Sequence, residues 1–427
     1  MTAAVRLWIF SLNYAPEPTG FAPHATALAE YMAGKGHAVT VVTGFPFAPR
    51  WRRWPEYQGV FSSQTVHNGV TLRRVSHFIP RRPGSIWQRV AMEASFCVAA
   101  AAVLAPRLMN RREKPDVVLY IGAQPALAML ARVIARVCGV PYLVNINDLA
   151  AESAYGVGIV RTNWMQRALE WLEFVAYLPS AGASVLCRSF AEALIAHGYP
   201  KDRIRLIRSP TDVERIRPLP SDPECRDALG VPRDAFVVLF AGSMGLKQGL
   251  ANVIEAARQL NHRTPVLPTV AWVLVGDGET RNDIETLIDQ YDLRTAVRLV
   301  PFQPEDRVAS MLAAADVLLL NQLSSVKDSV IPSKLLTYMA AGRPVLAAVN
   351  GASQGAEILR ETMGGVLAAP EDPLALIRGV EALAQAGPDA RARMGERNRA
   401  YAAQHFDQRK ILAEHEAFIL DRTDSRR

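Results

Sequence analysis

The strongest constraint is an alternation that runs once, stops at a proline-rich connection and starts again. In the first half, short apolar runs lie at residues 5–12, 38–43, 116–121, 142–146, 184–186 and 204–207. Segments with helical spacing stand among them at 22–35, 126–137 and 189–197. Alternation of this kind predicts a parallel sheet covered by helices. Ser209-Pro-Thr-Asp212 then leads into Pro218, Pro220 and Pro223, a proline density that suits an interdomain connection. Beyond it, apolar runs recur at 236–240, 271–275, 297–300, 317–320 and 345–347. Helical segments stand at 250–260, 332–341 and over most of 373–420, and residues 423–427 are expected to fray. A chain of 427 residues is too long for one ordinary domain. The expected fold class is α/β, with two Rossmann-like doubly wound domains, 1–212 and 213–407, facing each other across a cleft.

Several classes are disfavoured. Half the residues are hydrophobic and about a fifth are charged, which excludes a disordered or low-complexity chain. The four cysteines, Cys97, Cys138, Cys187 and Cys225, are scattered without a CxxC pair, which argues against a disulfide scaffold or a zinc ribbon. No metal site is expected. The first apolar run is too short for a secretion signal. The longest weakly polar stretch, 94–105, is bounded by Glu93 and Pro106, so no transmembrane helix is expected.

Ligands of doubly wound sheets bind at the carboxyl ends of strands, so the loops there hold the candidate residues. Gly242-Ser-Met-Gly-Leu-Lys247 follows a strand and opens a helix. Its glycines let backbone approach an anion, and Lys247 adds a full charge. The spacing is not that of a Walker A loop. Asp328-Ser-Val-Ile-Pro-Ser-Lys334 leads into a second helix, with Pro332 suited to its first turn and Ser333 and Lys334 at its start. Two anion sites on one half point to a diphosphate. The first loop, Asn13-Tyr-Ala-Pro-Glu-Pro-Thr-Gly20, lacks GxGxxG, which disfavours a dinucleotide oxidoreductase. Asp148 closes Asn145-Ile-Asn-Asp148 at a strand end. It suits either a sugar hydroxyl and proton transfer or a helix N-cap.

These stretches carry a resemblance. With Gly242-Ser-Met-Gly-Leu-Lys-Gln-Gly249, Asn252-Val-Ile-Glu-Ala256 and Gly276-Asp-Gly278, the chain resembles the family 4 glycosyltransferases of the GT-B fold. Within them it is most similar to bacterial exopolysaccharide transferases of the colanic-acid fucosyltransferase type. The matches lie in order over nearly the whole chain. The resemblance implies a UDP- or GDP-linked sugar donor held by the C-terminal domain and no further cofactor. It also implies retention of configuration and no need for a metal, in keeping with the lack of a DxD motif. Lys247 matches the lysine that contacts the diphosphate, and Gly20 matches the glycine loop near the donor. Gly242, Ser243, Ser333 and Lys334 fall in the donor loops, and helix 408–421 is expected to pack back on the N-terminal domain.

The chain departs from the wider family at its two-glutamate motif. Ser329 and Thr337 stand at those positions, and Asp328 is one residue from the first. Asn147 replaces the frequent histidine before the cleft aspartate. Asp148 and Asp328 are the carboxylates left to meet the sugars, and Thr337 stands with the donor residues.

Charge is uneven. Between Arg50 and Lys114 twelve basic residues face three acidic ones, while the whole chain is only +7. Phe45, Phe47, Trp51, Trp54, Phe78 and Trp87 lie among the arginines. Arginine with tryptophan suits an anionic membrane surface, and region 86–109 suits an interfacial helix. A polyprenyl-diphosphate-linked saccharide acceptor would sit there, on the cytoplasmic inner face of the plasma membrane. No nucleic-acid-binding motif is present. The alternatives are a nucleotide-sugar 2-epimerase of the same fold, which would convert donor without an acceptor, a non-catalytic nucleotide-binding paralogue, and a solute-binding protein, which the missing signal disfavours.

Overall fold

The apolar runs form strands because each side chain along them finds cover on one face or the other. Along β9 (Phe236–Ala241), Val237 and Leu239 join one core cluster while Phe236, Val238 and Phe240 join a second. That is the period of two expected of a strand buried on both sides. The computed structural model describes residues 4–18, 20–110, 113–151, 162–261, 269–326 and 330–424. It divides into two compact units, Met1–Arg208 with Ile411–Arg427, and Ser209–Lys410. The division lies four residues before the expected end of the first domain.

The N-terminal unit runs β1 (Arg6–Phe10), α1 (Ala22–Gly34), β2 (Ala38–Gly44), β3 (Ser62–His67), β4 (Val70–Val75), α2 (Ile86–Leu108), β5 (Val117–Gly122), α3 (Pro125–Cys138), β6 (Tyr142–Ile146), α4 (Asn163–Tyr177), β7 (Gly182–Val185), α5 (Arg188–Ala196) and β8 (Ile204–Leu206). Its sheet has the order β3-β4-β2-β1-β5-β6-β7-β8. The pairs are parallel except β3 with β4, which form a hairpin closed by Asn68-Gly69, both at positive φ. Asn-Gly is the residue pair that such a two-residue turn demands.

The C-terminal unit runs α6 (Pro223–Ala228), β9, α7 (Ala251–Asn261), β10 (Val270–Val275), α8 (Arg281–Gln290), β11 (Val297–Val300), α9 (Val308–Ala313), β12 (Val317–Asn321), α10 (Ser333–Ala340), β13 (Val345–Ala348), α11 (Gln354–Thr362), β14 (Gly365–Ala368), α12 (Pro373–Gln385) and α13 (Gly387–His405). Its all-parallel sheet has the order β11-β10-β9-β12-β13-β14. Counted from β9 this is 3-2-1-4-5-6, the doubly wound nucleotide-binding order. The last helix, α14 (Gln408–Asp424), places Ile411, Leu412, Phe418 and Ile419 in the N-terminal core beside Leu28 and Ala29. Tyr31 Oη donates to Glu416 at 2.9 Å. Burying a side chain such as Phe418 contributes ~1.5–3 kcal/mol.

The bounds expected for the weakly polar stretch 94–105 need correction. Among the described residues one helix, α2, is long and apolar enough to cross a bilayer by length and composition. Glu93 and Pro106 do not bound it. Glu93 turns inward and accepts from Ala126 N at 3.1 Å at the start of α3, and Pro106 sits in the last turn. Burial pushes the Glu93 carboxyl up to about 7. Met92, Phe96, Ala99, Ala100 and Leu104 pack α2 into the N-terminal unit.

Candidate functional site

The loops after β9, β10 and β12 interlock where the C-terminal sheet reverses its strand order, the place where an open parallel sheet leaves a crevice. β9 runs directly into Gly242, whose φ of +132° is closed to most other residues. A Cβ there would stand 2.6 Å from Cε of Lys334. After β10, a Cβ on Gly276 would overlap the Gly242 carbonyl oxygen, and one on Gly278 would lie 2.6 Å from the Met244 carbonyl oxygen. Met244 N donates to the Asp277 carbonyl at 2.9 Å, and Thr280 Oγ1 donates to the Met244 carbonyl at 2.8 Å. Gly276-Asp-Gly278 thus braces the Gly242 loop.

α10 supplies the facing side. Pro332 caps it, and Ser333 is exposed in its first turn, where backbone N–H groups have no intrahelical acceptor. The Lys334 ammonium lies 5.2 Å from the centre of the Phe240 ring, and burial pushes its pKa down to about 8. Thr337 Oγ1 donates to the Ser333 carbonyl at 3.2 Å, so its hydroxyl is engaged with its own helix. Tyr338 Oη accepts from Ala241 N at 2.9 Å and donates to the Ala241 carbonyl at 3.2 Å, tying α10 to the end of β9.

Lys247 lies in a 3-10 turn, Leu246–Gln248. That turn is fastened from β12. Asn321 Nδ2 donates to the carbonyls of Gln248 at 2.7 Å and Gly249 at 3.1 Å, and Leu323 N donates to the Lys247 carbonyl at 2.9 Å. Gly242, Ser243 and Lys247 therefore lie along the segment after β9, and Ser333, Lys334 and Thr337 on α10, which Lys334 and Tyr338 bring against the end of β9. Two cations and a helix N-terminus on such loops can hold a diphosphate.

The remaining candidates lie elsewhere. Gly20 and Asp148 belong to the N-terminal unit, after β1 and β6, and β5 separates those strands in the sheet. Gly20 is exposed at φ +67°, with open space where a Cβ would stand. Asp148 is half-buried. Asp328 lies outside the described residues. Among the described residues no group of three His, Cys, Asp or Glu is placed to hold a metal ion.

Two family models tile the sequence. "Glycosyl transferase 4-like domain" matches residues 19–210 and "Glycosyl transferases group 1" matches residues 221–401. This chain belongs to the family 4 glycosyltransferases. It is similar to the putative colanic acid biosynthesis glycosyl transferase WcaI of Escherichia coli K12. The two are 26% identical over 385 residues, covering 88% of this chain and 91% of that protein. Its GT-B fold is like that of the sucrose-phosphate synthase of Thermosynechococcus elongatus, with a TM-score of 0.71 at 18% identity over 97% of this chain and 98% of that one. The HepE protein of Anabaena, solved with UDP-glucose, gives a TM-score of 0.67 at 16% identity over 97% and 99% of the two chains.

Other side chains hold the backbone around these candidate loops. Asn321 and Tyr338 stand at the end of an apolar run and inside a helical segment, and they hold the backbone at Gln248 and at Ala241. Glu173 on α4 is 1% exposed and accepts from Ala150 N at 2.7 Å and Ala151 N at 3.0 Å, just beyond Asp148. Burial first, and then the Asp148 charge, push its carboxyl up to about 7 against those two hydrogen bonds. Glu17, inside the Gly20 loop, is buried and accepts from Phe47 N at 2.7 Å, Ala48 N at 2.8 Å and Asn13 Nδ2 at 2.8 Å. It anchors that loop.

Proposed function

We propose that this glycosyltransferase moves a sugar from a UDP- or GDP-linked donor to a polyprenyl-diphosphate-linked saccharide in bacterial exopolysaccharide synthesis. It works with retention and without a metal, on the cytoplasmic face of the plasma membrane. The observation that carries the reading is the close approach of Gly242 and Lys334, with Lys247 further along the same segment on the turn that Asn321 holds. The C-terminal unit is accordingly the donor-binding domain and the N-terminal unit the acceptor-binding one. The name of the colanic acid relative supports the polysaccharide class. The UDP-glucose complex of the Anabaena protein supports the donor class.

The chemistry follows from the residues. When the bond between the anomeric carbon and the β-phosphate oxygen breaks, negative charge grows on the diphosphate. Lys247, Lys334 and the N–H groups at Ser333 meet that charge with donors already in position. Each charge-assisted hydrogen bond contributes ~1.5–3 kcal/mol. The acceptor hydroxyl oxygen bonds the anomeric carbon, and its proton leaves to a carboxylate, for which we assign Asp148. Asp328 is assigned to the donor sugar.

The test supplies labelled donor with and without a polyprenyl-diphosphate saccharide and follows label into the organic phase, with and without EDTA. Acceptor-dependent transfer unaffected by EDTA is expected. Conversion of donor alone to a C2 epimer would identify an epimerase instead, and EDTA-sensitive transfer would overturn metal independence.

A further inference from the structure

α2 carries a second apolar face. A surface helix normally turns charged and polar residues to water. Opposite its packed side, α2 exposes Trp87, Ala91, Ala94, Val98, Ala101 and Ala105, which recur every three or four residues along its length. Trp87 and Val98 are each 72% exposed. Between Ile86 and Pro106 the only charged residues are Arg89 and Glu93, and Glu93 is turned inward to α3. Beside this stripe lies a groove of about 560 Å³ lined by Phe61, Phe78, Val98 and Ala102 among others, and Phe61 itself is 62% exposed.

Charge brackets the stripe at one end. Arg81 and Arg82 are exposed just before α2. The Arg89 guanidinium lies 5.3 Å from the centre of the Trp51 ring, in a loop that also exposes Arg50 and Arg52. An apolar face with arginines at its edge matches acyl chains with anionic headgroups above them. A spanning role fails on packing, because a helix crossing a bilayer could not also bury Phe96 and Leu104 in the core of the N-terminal unit.

We propose that the outward face of α2, with the groove beside it, seats the N-terminal unit on a bilayer bearing anionic lipids, the helix lying in the interface with Trp87 and Val98 in the acyl region. This deepens and rests on the reading of a lipid-linked acceptor, because it names the surface that reaches the membrane.

The test is co-sedimentation of the full chain with phosphatidylcholine vesicles, with and without phosphatidylglycerol. UDP and GDP binding is measured on the same preparations. The wild type is expected to bind the phosphatidylglycerol vesicles. Trp87→Gln with Val98→Gln is expected to weaken that binding about tenfold or more. Arg81→Ser with Arg82→Ser is expected to remove the preference for the anionic lipid. Both pairs are exposed, so nucleotide binding should be unchanged. Docking is overturned if wild type fails to sediment, or if the apolar pair changes nothing. It is also overturned if wild type is a dimer that the apolar pair makes monomeric, which would assign the face to a second copy. If nucleotide binding survives in any of these cases, the transferase reading stands without the docking. If vesicles bind while neither nucleotide does, the donor reading fails and the docking stands.

Discussion

The two units share a plan and differ at their surfaces. Each is a largely parallel sheet whose order reverses beside its first strand, β1 in one and β9 in the other. Among the described residues fourteen large apolar side chains stand exposed in the N-terminal unit and three, Leu246, Met363 and Leu374, in the C-terminal one. The C-terminal unit instead spends its irregularities on interlocked loops around Gly242. One sheet plan thus carries the two jobs we propose, which lie in loops and surfaces rather than in the core.

Four changes would break or sharpen this contrast. Gly276→Ala should cost most, because its Cβ would collide with the Gly242 carbonyl at a positive φ. A loss on the order of 3 kcal/mol in the stability of the C-terminal unit is expected by chemical denaturation, with vesicle binding unaffected. Next comes Lys334→Met, which should act in opposite directions on binding and stability. Diphosphate affinity should fall about ten- to a hundredfold by calorimetry. The unliganded protein should become more stable at neutral pH by up to on the order of 3 kcal/mol, since the folded pKa near 8 lies below the usual lysine value and burial of the charge is the cause. The wild type should show the matching pH profile. The folded state holds fewer protons than the unfolded one above about pH 8, so stability from this group rises there with pH while diphosphate affinity falls.

Asn321→Ala should be milder, releasing the turn that carries Lys247. About 1–2 kcal/mol of stability and a severalfold weaker diphosphate affinity are expected. Leu374→Gln, an exposed apolar position of the C-terminal unit, should change stability by less than about 0.5 kcal/mol and leave vesicle binding intact. A loss of vesicle binding there would erase the contrast between the two surfaces.

What the sequence alone shows follows the same division. β1, β2, β5, β6, β9, β10 and β12 were legible because strands buried on both faces leave continuous apolar runs. The β3–β4 hairpin escaped, because Ser62–His67 is a polar edge strand, although Asn68-Gly69 marked its turn. Gly242, Lys247 and Lys334 stood out as candidates because anion chemistry favours those residue types in loops after strands and at helix starts. Tyr338, Asn321 and Glu173 were not. Their partners are backbone groups distant in sequence, and no local pattern announces such a contact.

The central claim is that the C-terminal loop cluster holds a nucleoside diphosphate. The most direct measurement is calorimetric titration of UDP, GDP and ADP into the purified full chain and into Lys247→Ala. The account predicts that UDP or GDP binds the wild type and that binding weakens at least tenfold in the variant. Failure of all three nucleotides to bind the wild type, or equal binding by the variant, would contradict it.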